Sequence, residues 1–154
     1  MKTLFIGIDP GKSGGIAYID TENDISGTMP YGDTALIDLC RDIRSASKAV
    51  CCLEKVGAMP GQGVVSMFTF GTGYGWLQGV LAAYGIPYEL VRPQQWKKEF
   101  GITADKNSSI DVCKRLFPAV RLRANDRCRT DHDGMAEALL MAEYAKRKLV
   151  RVDA

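Results

Sequence analysis

The stretch FIGIDPGKSGGIAYID, residues 5–20, decides the fold. A strand-like run (Leu4, Phe5, Ile6, Ile8) ends in a carboxylate, Asp9, and Pro10 and a glycine-rich turn follow at once. A second apolar run, Ile16 to Ile19, comes straight after. Two such runs joined by a short Gly-rich turn predict a β-hairpin over 3–9 and 15–19. An acid at the end of a core strand either caps the turn or presents a charge from a rigid position. The turn is not a Walker loop: three residues separate Gly7 from Gly11 where that motif needs four. Its backbone N–H groups remain suited to meeting a phosphate.

Downstream, the pattern predicts a weaker strand over 25–29 and a helix over 33–43, where apolar residues recur at helical spacing. A buried strand over 49–54 ends in Glu54, and a loop over 57–63 precedes a helix over 64–84. That helix carries Gly71, Gly73, Gly75 and Gly79, which cost helix stability. They imply either a close helix–helix approach or a loop running to about Gly75. A strand over 86–91, helices over 93–100 and 105–117, an unpatterned basic loop over 118–130 and a last helix over 131–148 complete the chain. Thr130 with Asp131 to Asp133 forms the expected cap of that last helix. The order predicts an α/β fold: a mixed sheet, three antiparallel strands and then parallel ones, covered by helices.

A chain of 154 residues suits a single domain, 1–154, with a full core. No apolar run is long enough to span a bilayer, and Asp9 interrupts the N-terminal run too early for a signal peptide, so the expected location is cytoplasmic, without a membrane partner. Five scattered cysteines and a single histidine exclude a zinc or disulfide framework. The net charge of +2 is unevenly spread: residues 92–129 hold ten Lys or Arg against four acids, a net of +6. Such a segment points either to a polyanionic partner or to a solvated surface.

Four acids fall at informative places. Asp9 and Glu54 end strands, while Asp133 and Glu137 lie four apart and share a helix face with Leu140 and Tyr144. Carboxylates on an inward face are costly unless paired or bound to metal. An all-oxygen set suits Mg²⁺, with Mn²⁺ as substitute. Two such ions held by carboxylates are a common means of hydrolysing a phosphodiester. Lys106 adds positive charge near a scissile phosphate or simply starts a solvated helix.

The segments IGIDPGKSGGIA, CLEKVGAMPGQGVVSMFTFGTGYGWLQGVLAAYGIPYELVRPQQWKK, DKNSSIDVCKRLFP and DHDGMAEALLMAEYA together resemble RuvC-type Holliday junction resolvases of the phage and chloroplast branch. The resemblance spans nearly the whole chain. It implies a ribonuclease H-like fold and a homodimer that nicks opposing strands of a four-way DNA junction with Mg²⁺ or Mn²⁺. It places the metal ligands on Asp9, Glu54, Asp133 and Glu137 and a catalytic lysine on Lys106. The bacterial pattern spaces its last two acids three apart, and here they are four apart, so Asp131 and His132 stand as alternative ligands. The helix after Glu54 is implied to form the dimer face. Expected DNA contacts are Lys12, Gln62, Ser66, Met67, Phe68, Lys97, Lys98 and Arg123, with Met67, Phe68 and Phe70 either stacking on opened bases or packed in the core. Competing readings are a nuclease for other branched DNA or for RNA, and a junction binder without catalysis. Sugar kinases and actin-like ATPases open similarly but need two such domains, which this length cannot supply.

Overall fold

The computed structural model describes residues 2–44 and 47–149, so the outermost positions of the expected 1–154 domain lie outside the described residues. β1 (Lys2–Asp9), β2 (Gly15–Asp20) and β3 (Ile25–Pro30) form an antiparallel meander. β4 (Ser47–Glu54) joins β1 in parallel and β5 (Tyr88–Val91) joins β4 in parallel. The strand order is β3-β2-β1-β4-β5, the mixed sheet that the sequence pattern predicts.

Alternation along the strands sorts two cores. Leu4, Ile6 and Ile8 of β1, with Cys51 and Leu53 of β4, pack on one face against α1 (Asp33–Arg44) and α2 (Val64–Ala83). Phe5 and Cys52 face the other way, toward α3 (Pro93–Glu99), α4 (Lys106–Leu116) and α5 (Asp133–Tyr144). By the two-residue period, Asp9 falls on the same side as Phe5, and Glu54 on the same side as Cys52. Both strand-end acids therefore lie on the α5 side.

α5 is the central helix. Gly134, Met135 and Ala136 are buried, as is every residue from Ala138 through Ala145, and Leu139, Leu140 and Met141 are fully so. Glycines permit its close seating. A Cβ on Gly7 would run into the backbone of Ala138 and Ala142, and one on Gly15 into the carbonyl of Gly134. A Cβ on Gly134 would in turn strike the carbonyl of Ser13. The Gly-rich turn after Asp9 thus makes room for the start of α5. Thr28 Oγ1 adds a bond to the Met135 carbonyl at 2.8 Å, tying β3 to the same helix.

Several boundaries differ from the sequence reading. Residues 64–75 are helical, which removes the alternative of a loop to Gly75. The helix stops at a C-cap on Tyr84, with Gly85 in the left-handed region at φ 69°. β5 starts at Tyr88 because Ile86 turns into the core and Pro87 only lends its carbonyl to the Cys51 N–H. Asp105 caps α4 from outside, accepting the Asn107 N–H at 3.0 Å. The last helix starts at Asp133, not 131, and its cap is His132 instead of Thr130: Nδ1 accepts the Met135 N–H at 3.0 Å. It ends in a π-helical turn, Ala145–Leu149. Among the described residues no helix is long and apolar enough to cross a membrane.

The seating of α5 can be measured by urea unfolding. Gly7→Ala forces a methyl against backbone that cannot yield and is expected to cost about 3 kcal/mol or more. Gly75→Ala meets nothing within 4 Å, and it is expected to leave monomer stability equal or raise it by ~0.5–1 kcal/mol. Similar costs for the two would refute the backbone-to-backbone contact.

Candidate active site

The register sets the first pair. Ile8 is opposite Leu53 in the parallel β1–β4 ladder, so the next residues, Asp9 and Glu54, end neighbouring strands side by side. The carboxyl ends of strands in open α/β sheets are where ligands bind. α5 starts over the same edge, and Asp133 and Glu137 project from it one turn apart. All four acids interact. Burial raises the Asp9 pKa from 3.8 to about 9, reinforced by the charges of Glu137, Glu54 and Asp133 and by a hydrogen bond with Glu137. Glu54 is also raised, first by burial and then by Glu137, against the lowering effects of a Trp96 hydrogen bond and the Lys97 charge.

Neutral donors support the acids. Trp96 is fully buried, and its Nε1–H donates to Glu54 Oε2 at 2.9 Å. Tyr74, from α2, donates its hydroxyl to the Glu54 carbonyl at 2.8 Å and accepts the Val56 N–H at 3.4 Å. Ser109 Oγ, buried on α4, reaches Glu137 Oε1 at 3.5 Å. Sequence reasoning misses Trp96, Tyr74 and Ser109; the polar atom of a buried Trp requires a partner, but the partner here is 42 residues away. Among the described residues none of the four acids forms an ion pair with Lys or Arg.

Those acids are hard oxygen donors with excess negative charge and, among the described residues, no Lys or Arg ion pair, and they fit a divalent cation by chemistry. Among the described residues no three His, Cys, Asp or Glu side chains form a ready-made cage around one point. Their crowding shows at Asp9, which burial and its three acidic neighbours hold well above the ordinary carboxylate range. The alternative ligands are otherwise engaged: Asp131 pairs with Lys114 at 2.6 Å, and His132 is the helix cap.

The remaining expected residues divide by position. Lys12 is exposed in the turn after Asp9, and Gln62, Ser66 and Phe68 are exposed around the start of α2, Phe68 at 77%. Phe68 is therefore outside the core. Met67 is half-buried, and Phe70 stacks on Tyr74 with its ring edge toward Gly11. Lys97 lies over the Trp96 ring, 5.5 Å from its centroid, and is the base whose charge reaches Glu54. Lys98 is exposed beside it, and Lys106 is exposed at the first residue of α4. Arg123 is exposed and pairs with Asp131 through Nε at 3.8 Å.

The fold matches solved structures. Thermus thermophilus RuvC is 12% identical over 96% of each chain, with a TM-score of 0.56. The same protein in complex with Holliday junction substrate gives 12%, 96% of each chain and 0.59. Fowlpox virus resolvase, in complex with substrate Holliday junction DNA, is 17% identical over 98% of this chain and all of its own, at 0.50. No protein-family model matches the chain, and neither does any curated protein sequence. The chain thus has the RuvC fold, as the resemblance implied.

The raised Asp9 makes a pH prediction. Between its ordinary value of 3.8 and about 9, folded Asp9 keeps a proton that the unfolded chain has released. Stability therefore falls as pH rises through that window. In EDTA, wild type is expected to lose melting temperature from pH 5 to pH 8, and Asp9→Asn to lose less. At pH 8 the variant is expected to melt higher, by on the order of 5 °C. Parallel slopes for the two proteins would refute the assignment.

Proposed function

We propose that this protein is a RuvC-type Holliday junction resolvase: a cytoplasmic, homodimeric endonuclease that cuts four-way DNA junctions by metal-dependent phosphodiester hydrolysis. The observation that carries the reading is the convergence of four acids, none in an ion pair with Lys or Arg among the described residues, at the carboxyl edge of a RuvC-fold sheet. Asp9, Glu54, Asp133 and Glu137 would hold Mg²⁺, or Mn²⁺ in its place. Bound there, the metal supplies Lewis acidity for activating a water and for stabilising the leaving 3′-oxygen.

The chain's own residues do the rest. Asp9, raised by burial and by Glu137, has to lose its proton before its carboxylate is free. Trp96 holds Glu54 at one oxygen and leaves the other available. Lys97 places a cation beside the acids, and Lys106, Lys98 and Lys12 line the exposed approach for the DNA backbone. Phe68, with Gln62 and Ser66, would meet opened bases and phosphates at the crossover, a role their exposure supports. For the homodimer, support comes from α2: Val64 and Val65 are 84% and 80% exposed, and Gly71, Gly75 and Gly79 form a stripe where, among the described residues, nothing lies within 4 Å of an added Cβ.

The deciding assay is cleavage of a labelled four-way junction beside a matched linear duplex, with Mg²⁺ and with EDTA. Paired nicks confined to the junction, dependent on metal and lowered at least about a thousandfold by Asp9→Asn, are expected. Equal cutting of the duplex would indicate a general nuclease, and tight junction binding without cutting an architectural binder. Trp96→Phe keeps an aromatic ring but removes the donor to Glu54. With the lowering influence of that bond gone, the acid limb of the cleavage pH profile is expected to move to higher pH while junction affinity in Ca²⁺ is unchanged. An unmoved profile would assign Trp96 to packing alone.

A further inference from the structure

Residues 118–130 form neither helix nor strand, yet they are anchored. Leu122 is buried at 3% exposure, and its carbonyl accepts the His132 N–H at 2.6 Å. Arg121 pairs with Asp126 at 2.7 Å, and Arg123 Nη1 donates to the Cys128 carbonyl at 3.4 Å. The anchored segment and α4 border an open cavity of about 300 Å³, lined by Lys114, Arg121, Arg123 and Asp131 over Val120 and Leu122.

The charge of this cavity is unbalanced. Asp131, 19% exposed, holds Lys114 Nζ at 2.6 Å and lies 3.8 Å from Arg123 Nε. Both cations keep about half of their side-chain surface open, 56% and 50%, and Arg121 keeps 54%. Asp126, which faces Arg121, is 93% exposed and offsets little charge through water. Two cations thus share one partly buried acid, and a third, Arg121, lines the same cavity. A concave basic wall focuses the field, and the unused guanidinium donors suit a phosphate oxygen pair.

The cavity also has a fixed place relative to the acids. Asp131 precedes Asp133 by two residues, so at most about 7 Å of chain separates them. A DNA strand advances about 3.4 Å per nucleotide. We propose that this cavity is a second phosphate site: it takes the backbone phosphate of the cleaved strand one to three nucleotides from the scissile bond. Asp131 is the counter-ion that keeps Lys114 and Arg123 extended until the phosphate arrives. Because the His132 N–H and Asp131 tie the cavity directly to the start of α5, its occupancy sets which phosphodiester meets Asp133 and Glu137. Phosphate contacts of this kind position a strand without reading its sequence. The proposal rests on the nuclease reading above.

The test uses the full chain and four-way junctions carrying one neutral methylphosphonate at a time, stepped through four nucleotides on either side of the mapped cut. Wild type is expected to lose about tenfold or more of its cleavage rate at a single flanking position within three nucleotides of the cut. A variant with both Lys114→Gln and Arg123→Gln is expected to be slower on unmodified DNA and indifferent to that same methylphosphonate. Its log–log salt slope for junction binding is expected to be shallower by about 1. Wild-type cleavage unaffected at every flanking position would overturn the proposal without any variant having to fold. So would a double variant that stays as sensitive as wild type. In both cases wild type still cuts, so the nuclease reading survives; a wild type that cuts no junction with any metal removes both.

Discussion

The structure depends on one contact: the seating of α5, backbone against backbone, on β1, β2 and the turn between them. Gly7, Gly15 and Gly134 are the residues that let it happen, since a methyl on any of them would strike main chain. Main-chain contact is rigid in a way that side-chain packing is not. It places the start of α5 at a fixed distance from the end of β1. Asp133 and Glu137 are thereby held against Asp9 and Glu54, and the burial of Leu139, Leu140 and Met141 stabilises that arrangement from the opposite end of the helix.

This seating works against the electrostatics of the cluster. Four carboxyl groups are pressed together, and the first result is a proton retained on Asp9 well above the ordinary range. The hydrophobic core on both faces of the sheet offsets the repulsion. Strain concentrated at one sheet edge, and supported by ordinary packing elsewhere, is the usual state of a site awaiting a charged ligand.

Much of this is readable in the sequence, for identifiable reasons. Strand alternation and a turn directly after Asp9 mark both the strand end and the face of the acid. The i, i+4 spacing of Asp133 and Glu137 puts them on one side of a helix. The glycines of α2 are legible as an anomaly, and among the described residues nothing lies within 4 Å of a Cβ built on them, so the local pattern does not explain them. The cap falls on His132 and not Thr130: Ser, Thr and Asp dominate cap statistics, while a histidine nitrogen does the same work here. The π-helical turn is invisible in the sequence because apolar spacing does not distinguish closure at i+4 from closure at i+5. Trp96 to Glu54 and Ser109 to Glu137 are long-range contacts between separate elements, and no local pattern announces them.

The choice of those supporting groups is itself informative. A lysine or arginine bonded directly to Glu54 or Glu137 would relieve the repulsion and stabilise the fold, but it would also occupy the charge that a divalent cation needs. An indole N–H and a hydroxyl orient a carboxylate without neutralising it. The base that does act on the acids, Lys97, lies over the Trp96 ring, while Lys114 and Arg123 are engaged by Asp131. Positive charge is thus kept one layer out from the acids, where under the proposed function it would meet a phosphate backbone rather than the carboxylates. Segregating neutral donors inside from cations outside is what the proposed function needs of one sheet edge that is to take both a polyanion and a metal ion.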